Sequence, residues 1–248
     1  MKYYRLMCSL PPLPLIPQTP PMSLRDVAEA LHVDLSPNHW CLAHSLLLAE
    51  DVHQLEALIS GVIESPTPDI AFSAFSLFAD PVLVDWPEFA IDVRQQVQDA
   101  TVSIDEAIGK LWCGYFAMLS ELASQSRSAF LAEYVAFEVP LRNALARYRA
   151  DRIGRDVTDH LLDESTGGYR PDDLVSQFVE QTDPVEKDKL VDTARLVAFD
   201  SFAGTDPFGI DAVLAYVASA TVLQRWAFAD VHRDSESTDV KQMLEVWL

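Results

Sequence analysis

The segment Gly209 to Ala229 contains Ala212-Val213-Leu214-Ala215-Tyr216-Val217-Ala218-Ser219-Ala220-Thr221-Val222-Leu223-Gln224, 13 residues without a charge. Alanine and leucine favour helix, and apolar residues fall on nearly every face of a 3.6-residue period. At 13 residues the run is too short to cross a bilayer, so it predicts a helix at the centre of a bundle. Working outward, Asp183-Pro184-Val185-Glu186 combines a capping acid, a proline at the first helical position and an acid at the third. It predicts a helix to about Phe202. Asp172-Asp173 after Pro171 reads as another helix start. Ser103 to Arg155 predicts two long helices with a break near Ser124-Gln125-Ser126, and Trp86-Pro87-Glu88 opens a helix to about Asp99.

Proline divides the chain: 11 of 15 lie in residues 1–87, so the first part is the more broken one. Tyr3 to Leu10 suits a strand or a buried helical turn, and periodicity does not choose between them. The proline-rich segment to Pro21 predicts an extended run. Ser23 with Asp26 starts a short helix to about His32. Ser36-Pro37 starts another over Asn38 to Ala49, with a break at the charged pair Glu50-Asp51 and a further helix from Val52 to Ile63. Phe72, Phe75 and Phe78 form a helical stripe, and Thr238 to Trp247 predicts a last short helix. The whole reads as an all-α protein of antiparallel helices. It is one domain over 1–248, with sub-lobes at 1–100 and 101–248.

Eighteen Lys and Arg oppose 38 Asp and Glu, a formal charge of −20. Phosphate-rich partners need a cationic surface, so nucleic acid and anionic membranes are disfavoured as partners. A chain of 248 residues with 49% apolar content builds its own core without a disulfide or metal staple. Cys8, Cys41 and Cys113 show no close spacing and fit a reducing, cytoplasmic location. Leu6 to Leu24 carries no charge, but its prolines forbid a spanning helix, and Leu6 to Leu10 is too short for a signal-peptide core. Direct membrane insertion is therefore not expected.

Two Glu-x-x-His triplets, Glu29 with His32 and Glu50 with His53, are the sharpest enzymatic signal. At i and i+3 a carboxylate and an imidazole share a helix face, and two such pairs with two further glutamates make the di-iron site of ferritin-like bundles. Here Pro37 interrupts the interval and no companion glutamates sit at matching depth, so no metal or cofactor is expected and this reading stands only as an alternative. A bundle binding an apolar ligand near Ala212 to Leu223 is a second alternative. His39 and Cys41, two apart, point to opposite sides of a helix and do not form a zinc site. Gly167-Gly168 lacks the spacing and lysine of a phosphate-binding loop.

Arg142, Arg147, Arg149, Arg152 and Arg155 fall within 14 residues of a chain with 18 cations. Glu138 precedes Arg142 by one turn, in the favourable order for an ion pair. The pair reads as an internal tie whose loss, in Arg142→Ala, costs more than about 2 kcal/mol. Arg147, Arg149, Arg152 and Arg155 form a candidate ridge for docking an acidic partner. Asn143 sits mid-helix, where asparagine is intrinsically poor.

Three segments carry a resemblance. They are Tyr3-Tyr4-Arg5-Leu6-Met7-Cys8-Ser9-Leu10-Pro11-Pro12-Leu13, Phe137-Glu138-Val139-Pro140-Leu141-Arg142-Asn143-Ala144-Leu145 with its continuation to Asp156, and Phe208-Gly209-Ile210-Asp211-Ala212 with its continuation to Trp226. Together they resemble an uncharacterised bacterial family encoded in gene clusters for V/A-type ATPases. That family is remotely similar to the C-type subunit of V/A-type ATPases, the socket of the central stalk, whose eukaryotic counterpart is the d-type subunit. The resemblance implies an all-helical fold and a non-catalytic role as a central-stalk adapter between the membrane ring and the rotor shaft, or as an assembly factor. It also implies a cytoplasmic place at the inner membrane, held there through the complex. The chain is shorter than a typical C-type socket, and its proline-rich opening replaces a continuous first helix.

Overall fold

The structure, a computed structural model, describes residues 2–64, 87–154, 156–157, 161–164 and 168–233, with side chains to Trp226. Every regular element among them is an α-helix: α1 (Tyr4–Ser9), α2 (Leu24–Asp34), α3 (Pro37–Ile59), α4 (Glu88–Gln98), α5 (Ile104–Ser126), α6 (Ala129–Ile153), α7 (Asp172–Glu180), α8 (Pro184–Phe202) and α9 (Ile210–Arg233). The all-α class is therefore as the sequence predicts. The starts carry their own caps. Ser23 accepts from the Asp26 N–H, Ser103 from Glu106, Ser128 from Leu131 and Asp183 from Val185, each meeting a donor the first turn leaves open. The break between α5 and α6 falls at Arg127-Ser128, where Arg127 takes a left-handed φ of 55°.

The apolar helix α9 lies against α2, α3, α6 and α8. Val213, Leu214, Val217 and Leu223 are fully buried there. On the other side α5 packs against α3, α4 and α6. One core cluster runs through all these helices, from Leu6 and Leu31 through Leu55, Ala90, Leu111, Phe130, Phe178 and Phe199 to Val213. None of the described helices is long and apolar enough to cross a membrane.

One expectation is overturned. Glu50-Asp51 does not break α3, which continues through it for 23 residues. No proline or glycine interrupts this stretch, so the backbone is free to continue. Both acids are buried, at 2% and 0% exposure, where α3 passes between α5 and α9. Charge marked a surface break only under the assumption that charge lies outside. The Phe72, Phe75 and Phe78 stripe and the helix Thr238 to Trp247 lie outside the described residues. Phe89, on α4, packs on Gly114, where a Cβ would come within 2.5 Å of its ring.

Pro140 and Asn143 on α6 explain each other's neighbourhood. Pro140 has no N–H, so the carbonyl of Ala136 loses its helical partner. The N–H of Tyr169 takes it at 3.2 Å. Gly168 permits that approach, because a Cβ there would lie 2.9 Å from the same oxygen. Asn143 then clamps the returning chain: its Nδ2 donates to the Leu162 carbonyl at 2.9 Å, and its Oδ1 accepts the Leu162 N–H at 2.8 Å. Nδ2 also donates to Glu164 Oε1 at 2.8 Å. A poor helix former is tolerated because it satisfies a backbone that crosses the helix. Asn143→Ala is expected to cost about 2–4 kcal/mol in urea denaturation, since it strands both Leu162 backbone groups. Hydrogen exchange at Leu162 should accelerate with it; an unchanged rate would show that the clamp does not hold this segment.

Candidate functional site

The middle of the bundle holds an ionic centre instead of an uninterrupted apolar core. It is built by helical spacing. On α6, Tyr134, Glu138 and Arg142 follow at four-residue intervals, with Arg149 two turns beyond Arg142, so they share a face. On α8, Asp188, Asp192 and Arg195 share one too, at spacings of four and three. The helix α3 contributes Glu50 and His53, and α9 contributes Arg225 and Trp226. Glu50, Glu138, Asp188, Asp192 and Arg195 are all buried.

Glu138 is the hub. Arg195 donates to it twice, Nε to Oε1 at 2.8 Å and Nη2 to Oε2 at 3.1 Å. This fork matches carboxylate geometry and fixes both side chains. The third nitrogen of Arg195, Nη1, donates to Asp192 Oδ1 at 3.0 Å. Asp192 in turn accepts from Arg225 Nη2 at 2.5 Å and from Trp226 Nε1 at 2.9 Å. The lattice thus ties α6, α8 and α9 together. Arg142 approaches Glu138 at 3.4 Å but stands mainly over the Trp112 ring, 4.0 Å from its centroid. Trp112 Nε1 donates to Glu56 Oε2 at 2.8 Å, which extends the network to α5 and α3.

Electrostatics sorts the acids. Burial would raise Glu138, but Arg195 and then Arg142 outweigh it and hold the carboxyl below its usual range. Burial likewise opposes the charge on Arg195, and Glu138 and Asp192 overcome it. Glu50 is pushed up to about 8 by burial, with Arg225 opposing. Asp188 is pushed up to about 7 by burial and by Asp192. His53 is driven well below its ordinary value by burial, then by Arg142, Arg225 and Arg195. Burial lowers Arg149 to about 10.

The residues singled out from sequence divide accordingly. Glu138 and Arg142 do approach, but the principal partner of Glu138 is Arg195, 57 positions away. The tie is therefore wider than the i,i+4 pair. The docking ridge splits. Arg147 is half exposed and pairs with Glu164 at 3.1 Å, and Arg152 is exposed near the Tyr148 ring. Arg149 turns inward, its Nη2 buried without a hydrogen bond among the described residues, because its register places it on the face that meets α8. Arg155 lies outside the described residues.

The two Glu-x-x-His triplets are not brought together. Glu29 and His32 are exposed on α2, with His32 stacked on Trp40 at 4.8 Å, while Glu50 and His53 are buried on α3. Among the described residues no three metal-ligating side chains converge, and guanidinium groups repel a cation where the buried triplet sits. Ala212 to Leu223, expected to border an apolar ligand pocket, is mostly buried among the described residues. Its apolar side chains are engaged in packing, and the small cavity at the centre of the bundle is walled largely by charged and polar groups.

Asp192, Arg195 and Arg225 were missed from the sequence. The signal was present: Asp188, Asp192 and Arg195 share a face with buried Val191 and Phe199, and Arg225 directly follows the 13-residue uncharged run of α9. Compared with protein families, curated proteins and solved structures, the chain matches none.

Glu138→Ala is expected to cost about 3–5 kcal/mol, because it leaves Arg195 buried without its fork. Arg142→Ala costs about 1–2 kcal/mol, less than the isolated pair predicts, since Glu138 keeps Arg195 and mainly the Trp112 contact is lost. Equal losses in denaturant titrations would place the hub elsewhere. Glu50 gives a pH signature. Between 4.5 and about 8 the unfolded chain releases this proton and the folded chain keeps it, so stability falls as pH rises through that window. Glu50→Gln should gain on the order of 2–4 kcal/mol at pH 8 and change little near pH 4.5. A gain independent of pH would contradict a protonated Glu50.

Proposed function

We propose that the chain is a non-catalytic component or assembly factor of a bacterial V/A-type ATPase. In this reading it is a central-stalk adapter of the C-type socket kind, set between the membrane ring and the rotor shaft. The reading takes its identity from the three resembling segments. The observation that carries its mechanism is the buried Glu138–Arg195–Asp192–Arg225 lattice, which ties three helices near the middle of the body. An adapter must transmit force without absorbing it. Sliding one of these helices past another would separate buried charges from their partners, at a cost of several kcal/mol. An apolar interface lacks that directional resistance, since dispersion contacts depend less on orientation.

Docking then falls to the exterior. On a body of charge −20, Arg147 and Arg152 with Lys187 beside Tyr148 gather positive charge at the end of α6. Such a patch suits an acidic surface on a neighbouring component of the complex. Nucleotide hydrolysis belongs to other subunits. The adapter stands in the cytoplasm, peripheral to the inner membrane through the complex.

A tagged chain, pulled down from native membranes under conditions that keep the complex whole, should recover ATPase subunits. The double charge reversal Arg147→Glu/Arg152→Glu should reduce recovery several-fold while leaving the melting temperature nearly unchanged, because the exposed Arg147–Glu164 pair is worth no more than about 1 kcal/mol. Recovery of no part of the ATPase would sink this reading.

A further inference from the structure

Between α3, α6, α8 and α9 lies a cavity of about 30 Å³, bordered by Glu50, His53, Glu138, Arg142, Arg195 and Arg225. It reaches toward solvent past Arg142 and Arg225, whose side chains are 24% and 18% exposed. A space of roughly 10–15 Å³ holds one water, so this one admits one or two waters or a single ion of similar size. Its wall has a charge imbalance. Three guanidinium groups face it. Glu138 on the wall and Asp192 behind it answer two of those charges. Burial keeps Glu50 protonated at neutral pH and His53 uncharged. On the lining itself three guanidinium groups thus stand against one ionised carboxylate, Glu138. The geometry also leaves a donor over: Arg142 Nε is buried without a hydrogen-bond partner among the described residues.

We infer that this cavity is a binding site for one small monovalent anion of halide size. Such an ion is little larger than water, brings negative charge to a lining rich in guanidinium groups, and accepts from the Arg142 Nε–H without demanding a directional donor set. A divalent anion exceeds the charge, and a polyatomic one exceeds the space. A cation is repelled by the same arginines. The inference does not depend on the partner of the protein, since it concerns only the interior.

The test compares thermal unfolding in sodium chloride and sodium gluconate at equal ionic strength, which separates site binding from screening. Chloride should raise the melting temperature by roughly 2–4 °C with saturation, and gluconate should not. Glu50→Gln, which cannot ionise, should keep the chloride rise. Ala49→Leu, which fills the cavity from α3, should lose it. Crystals grown with bromide should show an anomalous peak beside Arg142. Identical melting in the two salts overturns the inference, as does a chloride rise that survives in folded Ala49→Leu protein. Should Ala49→Leu fail to fold, the bromide data decide: no peak in the cavity overturns it, and a peak without any chloride-dependent rise marks an adventitious ion only and overturns it too.

Discussion

The two-pronged contact between Glu138 and Arg195 sets the geometry of the bundle centre. Arg195 commits its three donor nitrogens to Glu138 and Asp192. Two buried carboxylates therefore depend on one guanidinium, and α6 and α8 are held at the separation this fork requires. Arg225 and Trp226 then fix α9 to the same Asp192. Buried charge is a poor source of net stability but a strong source of uniqueness, because few alternative packings satisfy every group.

The edge of α6 follows the same logic. Pro140 opens a carbonyl, Gly168 leaves room to reach it, and Asn143 pairs with Leu162. The chain after α6 is thus bound back along the helix it has left. Phe137 and Tyr169, with ring centroids 4.6 Å apart, cover the join. Residues that look unfavourable for a helix taken alone, a proline and an asparagine, are those that hold its neighbour.

Charge inside the bundle is mixed, unlike the acidic whole. The chain carries −20 overall, yet its interior concentrates Arg142, Arg149, Arg195 and Arg225 around acids of which three, Glu50, Glu56 and Asp188, have raised proton affinity. Arginine is suited to this: it stays charged when buried, lies flat on Trp112, and forks onto carboxylates. These inward-facing arginines are therefore part of the architecture, while Arg147 and Arg152 of the same stretch stay at the surface.

The linear chain determined the helices themselves. Caps at Ser23, Ser103, Ser128 and Asp183, the prolines at 37 and 184, and the apolar run of α9 act within one or two turns, so they can be read from neighbours alone. It also marked Glu138 and Arg142 as a pair, because they are one turn apart. Tertiary structure decided what charge means at each place. Glu50-Asp51 reads as a break and is buried helix, Arg149 reads as surface and turns inward, and Arg195, though set on an apolar face, finds its partner only when α8 is laid against α6. The physical reason is that the energy of a charged residue depends on its surroundings: the same side chain ends a helix in water and locks a core when a partner 57 positions away arrives opposite it.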